Sequence, residues 1–187
     1  MKIGRLLLRL AVGGFFIGHG TQKLFGWFGG YGLEGTAQGF ESLGLRPGKR
    51  HAIAAGAAEA GGGALIALGA ATPVAASVLT ATMLTAINRA HLKNGPWATN
   101  GGYEYNVVLI AAVLALTETG PGSPSVDAAL GSERRGPKWA AWALLAGVAG
   151  AATAHAIAEA TDAPEPAAEP ETESQGDAAQ AEETTPA

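Results

Sequence analysis

Long apolar runs, separated by prolines and glycines, dominate the chain up to about residue 158. Five runs predict five helices, because none of the ten prolines falls inside a run and an interior proline would break a helix. Two of the runs, 52–71 and 74–92, have the ~20 residues that a helix needs to cross a bilayer. The pattern predicts an all-α membrane protein with helices at 3–28, 52–71, 74–92, 105–119 and 139–158.

The first and last predicted helices differ from the others at their ends. The first would be ~39 Å long, which exceeds a bilayer core of ~30 Å. We therefore expect Arg5 and Arg9 to extend towards the head groups at its start, and Trp27 to lie in the interface at its end. The last helix is rich in Ala and Gly but carries Trp139 and Trp142 as interfacial anchors. We predict that it spans the membrane, and a helix lying on the surface is the alternative.

Charge is distributed unevenly along the 187 residues. The net charge of −4 divides into +5 before residue 159 and −9 from there onwards, and no Lys or Arg follows Lys138. Residues 161–187 mix acidic residues with Ala, Pro and polar residues and contain no aromatic or branched aliphatic side chain. Such a segment cannot bury enough apolar surface to fold, so we predict a disordered acidic tail over 161–187.

The chain contains no cysteine, which excludes disulfides and Cys-ligated zinc or iron–sulfur centres within it. Only four histidines are present, and three of them, His19, His51 and His91, fall near other polar residues. We therefore expect no protein-bound metal. A redox role would then need a bound cofactor or a partner protein.

Polar residues inside the apolar runs are the strongest functional signal, because ionisable side chains in a membrane span are costly and usually mark a site. Glu59 is the only charged residue between His51 and Arg89, and it lies well inside its predicted helix, where snorkelling does not explain it. Its neighbours on the same helix face are small, so this face should pack against another helix and direct the carboxylate into the bundle. These neighbours are Ala52, Ala55, Gly56, Gly62 and Gly63.

Short connections make consecutive helices antiparallel, so the polar residues gather in one half of an antiparallel four-helix bundle. We expect Lys23 and Arg89 to balance Glu59 and Glu104 in one buried network. We predict that Glu59, His19 and Lys23 are the catalytic residues. The residues predicted to bind a cofactor are Arg89, Asn88, His91, Tyr103, Glu104 and Trp27.

Most of these residues also have a structural interpretation. Lys23 could snorkel to the interface, His19 could hydrogen-bond a backbone carbonyl, and Arg89 could anchor the end of a helix. Tyr103 could belong to an interfacial aromatic belt. Glu59 has no such alternative, so the functional interpretation depends on it most.

Several motifs occur in a specific order along the chain: His19-Gly20-x-x-Lys23-Leu24-Phe25-Gly26-Trp27-Phe28-Gly29-Gly30, Ala58-Glu59, and Asn100-Gly101-Gly102-Tyr103-Glu104-Tyr105. Together they resemble the DoxX family of small bacterial membrane proteins over residues 5–130. The resemblance implies a four-helix transmembrane core at 1–130 in the bacterial plasma membrane. A linker and fifth helix at 131–160 and the acidic tail are additions to the family pattern. Members are similar to the DoxD subunit of thiosulfate:quinone oxidoreductase, which implies a link to membrane redox systems.

Three functions are consistent with this pattern, and whether the chain is itself an enzyme is left open. The first is an accessory or quinone-interacting subunit of a membrane oxidoreductase, with a soluble redox or sulfur-handling protein as partner. The second is a non-catalytic scaffold that docks soluble enzymes, and the third is a small proton-coupled transporter. We expect contact with the lipid bilayer and no nucleic-acid partner, and assembly of identical chains is a further alternative.

Membrane orientation is predicted from the start of the first helix. With five spans the twelve Lys and Arg residues divide six to six, so the positive-inside rule alone gives no preference. The first helix usually dominates, and its basic start favours an N-terminus in the cytoplasm. This orientation places the polar cluster towards the outer face and the tail outside.

Overall fold

The computed structural model describes residues 3–162, and all regular elements in that range are helices. The all-α prediction is confirmed. The predicted acidic tail lies outside the described residues except for Thr161 and Asp162, which are helical. The helices are α1 (Ile3–Phe25), α2 (Gly32–Ser42), α3 (Gly48–Leu68), α4 (Thr72–Ala86), α5 (Glu104–Thr119), α6 (Val126–Ala129) and α7 (Pro137–Asp162).

Three of the described helices, α1, α3 and α7, are long and apolar enough to cross a membrane by length and composition. α5 has 16 residues, or ~24 Å, which is shorter than a bilayer core of ~30 Å. α4 has 15 α-helical residues, but the chain continues as a π-helix over Ile87–His91 and a 3₁₀ turn over Leu92–Asn94. The predicted helix at 74–92 is therefore helical throughout and changes its hydrogen-bonding pattern near its end.

α1 and α3 touch along their glycines. A methyl group at Gly13 would lie 2.6 Å from the carbonyl oxygen of Gly63, and one at Gly20 would lie 2.5 Å from the backbone nitrogen of Ala60. Later residues of α1 meet earlier residues of α3, so these two helices run in opposite directions. Small residues permit this close approach, and such packing holds helices together where lipid removes the hydrophobic drive between them.

A tight connection joins α3 to α4. Gly69 ends α3 with φ 64°, in the left-handed region that favours glycine. The first N–H groups at the start of α4, those of Ala71 and Thr72, donate to the buried carboxylate of Asp127 at 2.8 and 3.1 Å. Asp127 lies on the short α6, so the segment after α5 caps α4 and fixes this end of the molecule.

α7 packs along α4 in the same direction. Gly147 faces Thr80, and further along both helices Gly150 faces Ala81. The face of α7 that is buried carries alanines at 143, 151 and 158. Larger residues fill the core between the other helices, chiefly Phe16, Ile66, Leu79, Val113 and Leu116.

Arg9 points into the protein. It is 4% exposed, and its guanidinium donates to the backbone carbonyls of Ala67, Pro121 and Pro124 at 2.9, 2.9 and 2.7 Å. Arg5 donates in the same region, to the last turn of α5. The expectation that Arg9 extends to the head groups is wrong, because carbonyls left unpaired at the end of α3 and after α5 supply acceptors inside the protein.

The region after α1 also differs from the prediction. α1 ends at Phe25, not at residue 28, because Gly26 adopts φ 73° and residues Trp27–Gly29 form a 3₁₀ turn. α2 follows and packs against α3, with Thr36 and Ala37 buried. A search for long apolar runs does not find α2, since it is short and mixes polar with apolar residues.

We predict that Gly20→Ala lowers the free energy of unfolding by about 2 kcal/mol, because the added methyl group would overlap the backbone of α3. The matched control is Gly18→Ala on the same helix, where the added carbon would meet open space. The control should leave stability unchanged or raise it by up to ~1 kcal/mol through helix propensity. Equilibrium unfolding in detergent micelles measures both, and equal effects would contradict the packing of α1 on α3.

Candidate functional site

A cavity of about 660 Å³ lies between α1, α3, α4 and α7, with further wall residues from α2, α5 and the adjoining loops. Most of the wall is apolar, which is typical of a site for a small organic molecule. Its charged and imidazole-bearing members are His19, Lys23, His51, Glu59, Arg89 and His91. The structure therefore brings the three predicted catalytic residues and two of the predicted cofactor-binding residues to one space.

Lys23 and Glu59 form an ion pair in the cavity wall. Nζ of Lys23 lies 2.6 Å from Oε2 of Glu59, and the side chains of Lys23 and Glu59 are 25% and 4% exposed. The other carboxylate oxygen, Oε1 of Glu59, accepts no hydrogen bond from the described residues. The lysine keeps a charged carboxylate stable within a mostly apolar wall, and Oε1 is left as an acceptor for a ligand.

The contact between α1 and α3 sets the distance within this pair. A methyl group at Gly20 would lie 2.6 Å from the carbonyl oxygen of Gly56, so the two backbones meet there. Lys23 and Glu59 each follow one of these glycines by three residues, and residues three apart share a helix face. Both side chains therefore extend from the same contact. A larger residue at either glycine would move the two charges apart.

All four histidines of the chain lie in or beside the cavity. Nδ1 of His19 lies 3.1 Å from Oε1 of Gln22, and Nδ1 of His91 donates to the carbonyl of Gly101 at 2.8 Å. Imidazole nitrogens can donate or accept hydrogen bonds, so the wall holds several groups that could contact a polar ligand. Among residues 3–162, no three His, Asp or Glu side chains are grouped as metal ligands.

Arg89 reaches the cavity from the π-helical segment Ile87–His91. Insertions of this kind within α-helices occur frequently at functional sites. Nε of Arg89 donates to Nδ1 of His155 on α7 at 2.9 Å. His155 is not among the predicted site residues, because a lone histidine on an Ala-rich helix does not reveal its partner. One feature of the sequence could have drawn attention to His155: it is the only ionisable residue between Lys138 and Glu159.

Four of the predicted cofactor-binding residues lie outside the cavity wall. Trp27 is 58% exposed on the 3₁₀ turn after α1, and Asn88 is exposed on the π-helical segment. Tyr103 lies at the start of α5 next to Glu104, whose Oε1 accepts from the backbone N–H of Ala98 at 2.6 Å. The expected charge network that includes Glu104 is therefore wrong, because this carboxylate orders the loop before α5. The roles of the four residues in cofactor binding stay predictions.

Comparison with known proteins identifies relatives of the chain. A family model described as DoxX matches residues 4–92. The chain is 37% identical over 116 residues to "Putative oxidoreductase CatD" of Bacillus subtilis (strain 168), and the alignment covers 62% of this chain and 80% of that protein. The chain belongs to the DoxX family. No solved structure matches it.

DoxX membership, together with three apolar helices of spanning length, makes this a membrane protein. The region matched by the DoxX model contains α1 to α4 and the π-helical segment. It therefore includes Lys23, Glu59 and Arg89. α7, which carries His155, lies beyond it.

We predict that Lys23→Met lowers the free energy of unfolding by about 2–3 kcal/mol, because it leaves the buried carboxylate of Glu59 without its counter-charge. This is below the ~3–5 kcal/mol typical of a fully buried pair, since Lys23 is partly exposed. The double variant Lys23→Met/Glu59→Gln should recover most of the loss, because no charge is then left unpaired.

The control for this experiment is Lys49→Met, which removes the lysine of an exposed ion pair with Glu34 at 2.7 Å. Exposed pairs contribute little, so this change should stay within about 0.5 kcal/mol of the parent protein. Unfolding curves in the same detergent measure all the variants. If Lys23→Met and Lys49→Met cost the same, the pair in the cavity wall is not a buried electrostatic contact.

Proposed function

We propose that this DoxX protein binds the head group of a membrane quinone in the cavity and serves as a subunit of a membrane oxidoreductase. The observation that carries the proposal is the Lys23–Glu59 ion pair in the wall of a mostly apolar cavity of about 660 Å³. Apolar walls with a few polar groups suit a lipophilic molecule that carries a polar head. The Bacillus subtilis relative is named as an oxidoreductase, which adds support for redox chemistry.

The polar groups of the wall match what a quinone and its quinol require. Quinone carbonyl oxygens accept hydrogen bonds, and Lys23 and Arg89 are donors on the wall. Quinol hydroxyls donate, and Oε1 of Glu59 is an acceptor without a partner among the described residues. Conversion of quinone to quinol needs two protons and two electrons, and Glu59 and His19 are suited to exchange protons.

A partner protein would supply the electrons, because the chain has no cysteine for thiol redox chemistry. We propose a soluble redox or sulfur-handling protein for this role. Such a partner would dock at one membrane face, and the quinone would enter from the lipid.

The proposed topology is a multi-pass protein of the bacterial plasma membrane in which α1, α3, α4 and α5 form an antiparallel four-helix bundle and α7 is a fifth span. Two features support it. The helical segment 72–94 is joined to α5 at the cavity end by a loop that contains Gly101, and the carbonyl of Gly101 accepts a hydrogen bond from His91. α7 runs parallel to α4, as five alternating spans require.

We predict saturable binding of a short-chain quinone and its quinol to the purified protein in lipid nanodiscs. Glu59→Gln should raise the Kd of the quinol about tenfold, because a hydrogen bond accepted by a charged carboxylate is stronger than one accepted by the neutral amide oxygen that replaces it. It should affect the quinone less, because a quinone has no hydroxyl to donate to the carboxylate. Calorimetric titration with both redox forms measures the two constants.

The matched control is Glu34→Gln, which changes a carboxylate that is 75% exposed and lies outside the cavity wall. Its Kd values should equal those of the parent protein. Absence of saturable binding to the parent protein, or equal binding by Glu59→Gln, would overturn the proposal. Co-purification of a partner enzyme that Glu59→Gln leaves intact, combined with absent quinone binding, would favour a scaffold instead.

A further inference from the structure

α7 is held at a fixed position on α4 by small residues. A methyl group at Gly147 would lie 2.6 Å from Cγ2 of Thr80, and one at Gly150 would lie 3.1 Å from Cβ of Ala81. Little space for a side chain is left at these two glycines, so α7 and α4 pack closely there and have little room to rotate or slide on one another. These glycines therefore set the register of α7 against the second half of α4, just before the π-helical segment begins.

This register makes α7 part of the cavity. Gly150 and Ala154 contribute to its wall, and the next residue, His155, meets Arg89 of the π-helical segment. The contact joins Nε of Arg89 to Nδ1 of His155 at 2.9 Å. Because Nδ1 accepts this hydrogen bond, the imidazole carries its hydrogen on Nε2 and is neutral.

The other end of Arg89 is available to a ligand. Its terminal nitrogens have no hydrogen-bond partner among residues 3–162, and Nη1 lies near Gly44, whose neighbours Leu43 and Leu45 belong to the cavity wall. A guanidinium has five N–H donors in a fixed plane, so holding Nε also fixes the direction of the terminal donors. An arginine side chain that is not held in this way would lose conformational freedom each time a ligand binds.

We propose that His155 is a positioning residue for ligand binding, and that α7, beyond the region matched by the DoxX family model, completes the site. His155 holds Nε of Arg89 so that the terminal N–H groups donate to a carbonyl oxygen of the bound quinone. This inference rests on the proposed function, because it takes the quinone as the ligand. It assigns a role in the site to a helix that the family match does not include.

The test compares two variants of His155 in the full chain in nanodiscs, with a short-chain quinone as the probe. His155→Ala removes the acceptor and should raise the Kd for the quinone about tenfold or more. His155→Asn places an amide oxygen near the position of Nδ1, so it should restore binding to within about threefold of the parent protein. The control is Thr153→Ala, an exposed α7 residue whose hydroxyl bonds only within its own helix.

The outcomes separate this inference from the proposed function. If the parent protein binds quinone and His155→Ala binds it equally well, the inference about His155 is overturned and the proposed function is not. Equal losses of affinity in His155→Ala and His155→Asn would also overturn it, because they would indicate that His155 acts only through its packing. Absence of saturable quinone binding to the parent protein would overturn the proposed function and with it the ligand assigned to Arg89. Nitrogen-15 NMR of His155 gives a reading without ligand. If Nδ1 accepts from Arg89, the spectrum shows the hydrogen on Nε2, and a hydrogen on Nδ1 would overturn the proposed role of His155.

Discussion

Direct contact between the backbones of α1 and α3 is the constraint on which the rest of the site depends. Where Gly20 meets Gly56, neither helix has room for a side chain. This leaves no space for lipid or water between the two helices at this point, and it brings Lys23 to within 2.6 Å of Glu59. The close approach of the helices therefore allows the ion pair to form, and each charge would be costly to bury without the other.

The ion pair in turn explains how a mostly apolar cavity can hold ionisable groups. With Lys23 and Glu59 compensating each other, Arg89 is the remaining permanent charge on the wall, and its Nε is bonded to the neutral His155. Its terminal donors and Oε1 of Glu59 give the wall both donors and an acceptor. This combination suits a ligand whose oxygens change between accepting and donating, as those of a quinone do on reduction.

The sequence is enough to predict the helical class and much of the polar cluster, because the signals involved are local. Glu59 stands alone in an apolar run, and its small neighbours on one face predict that it turns inward, as it does. The sequence does not predict α2, the inward path of Arg9 or the contact of His155 with Arg89. α2 is missed because it is short and mixes polar with apolar residues, and the other two depend on partners far along the chain, such as the carbonyl of Pro121 for Arg9. Glu104 is missed for the opposite reason. Charge balance predicts that its carboxylate joins the buried network, but the backbone N–H of Ala98, only six residues away, donates to it instead.

The most direct test of quinone binding in the cavity is to map where a photoactivatable quinone analogue attaches to the protein in nanodiscs. Binding in the cavity predicts labelling of cavity-wall residues on α3, α4 and α7, such as Ala58, Ala86 and Ala154, and loss of that labelling when unmodified quinone competes. Labelling confined to exposed side chains outside the wall, such as Leu145, and unaffected by competition, would contradict it.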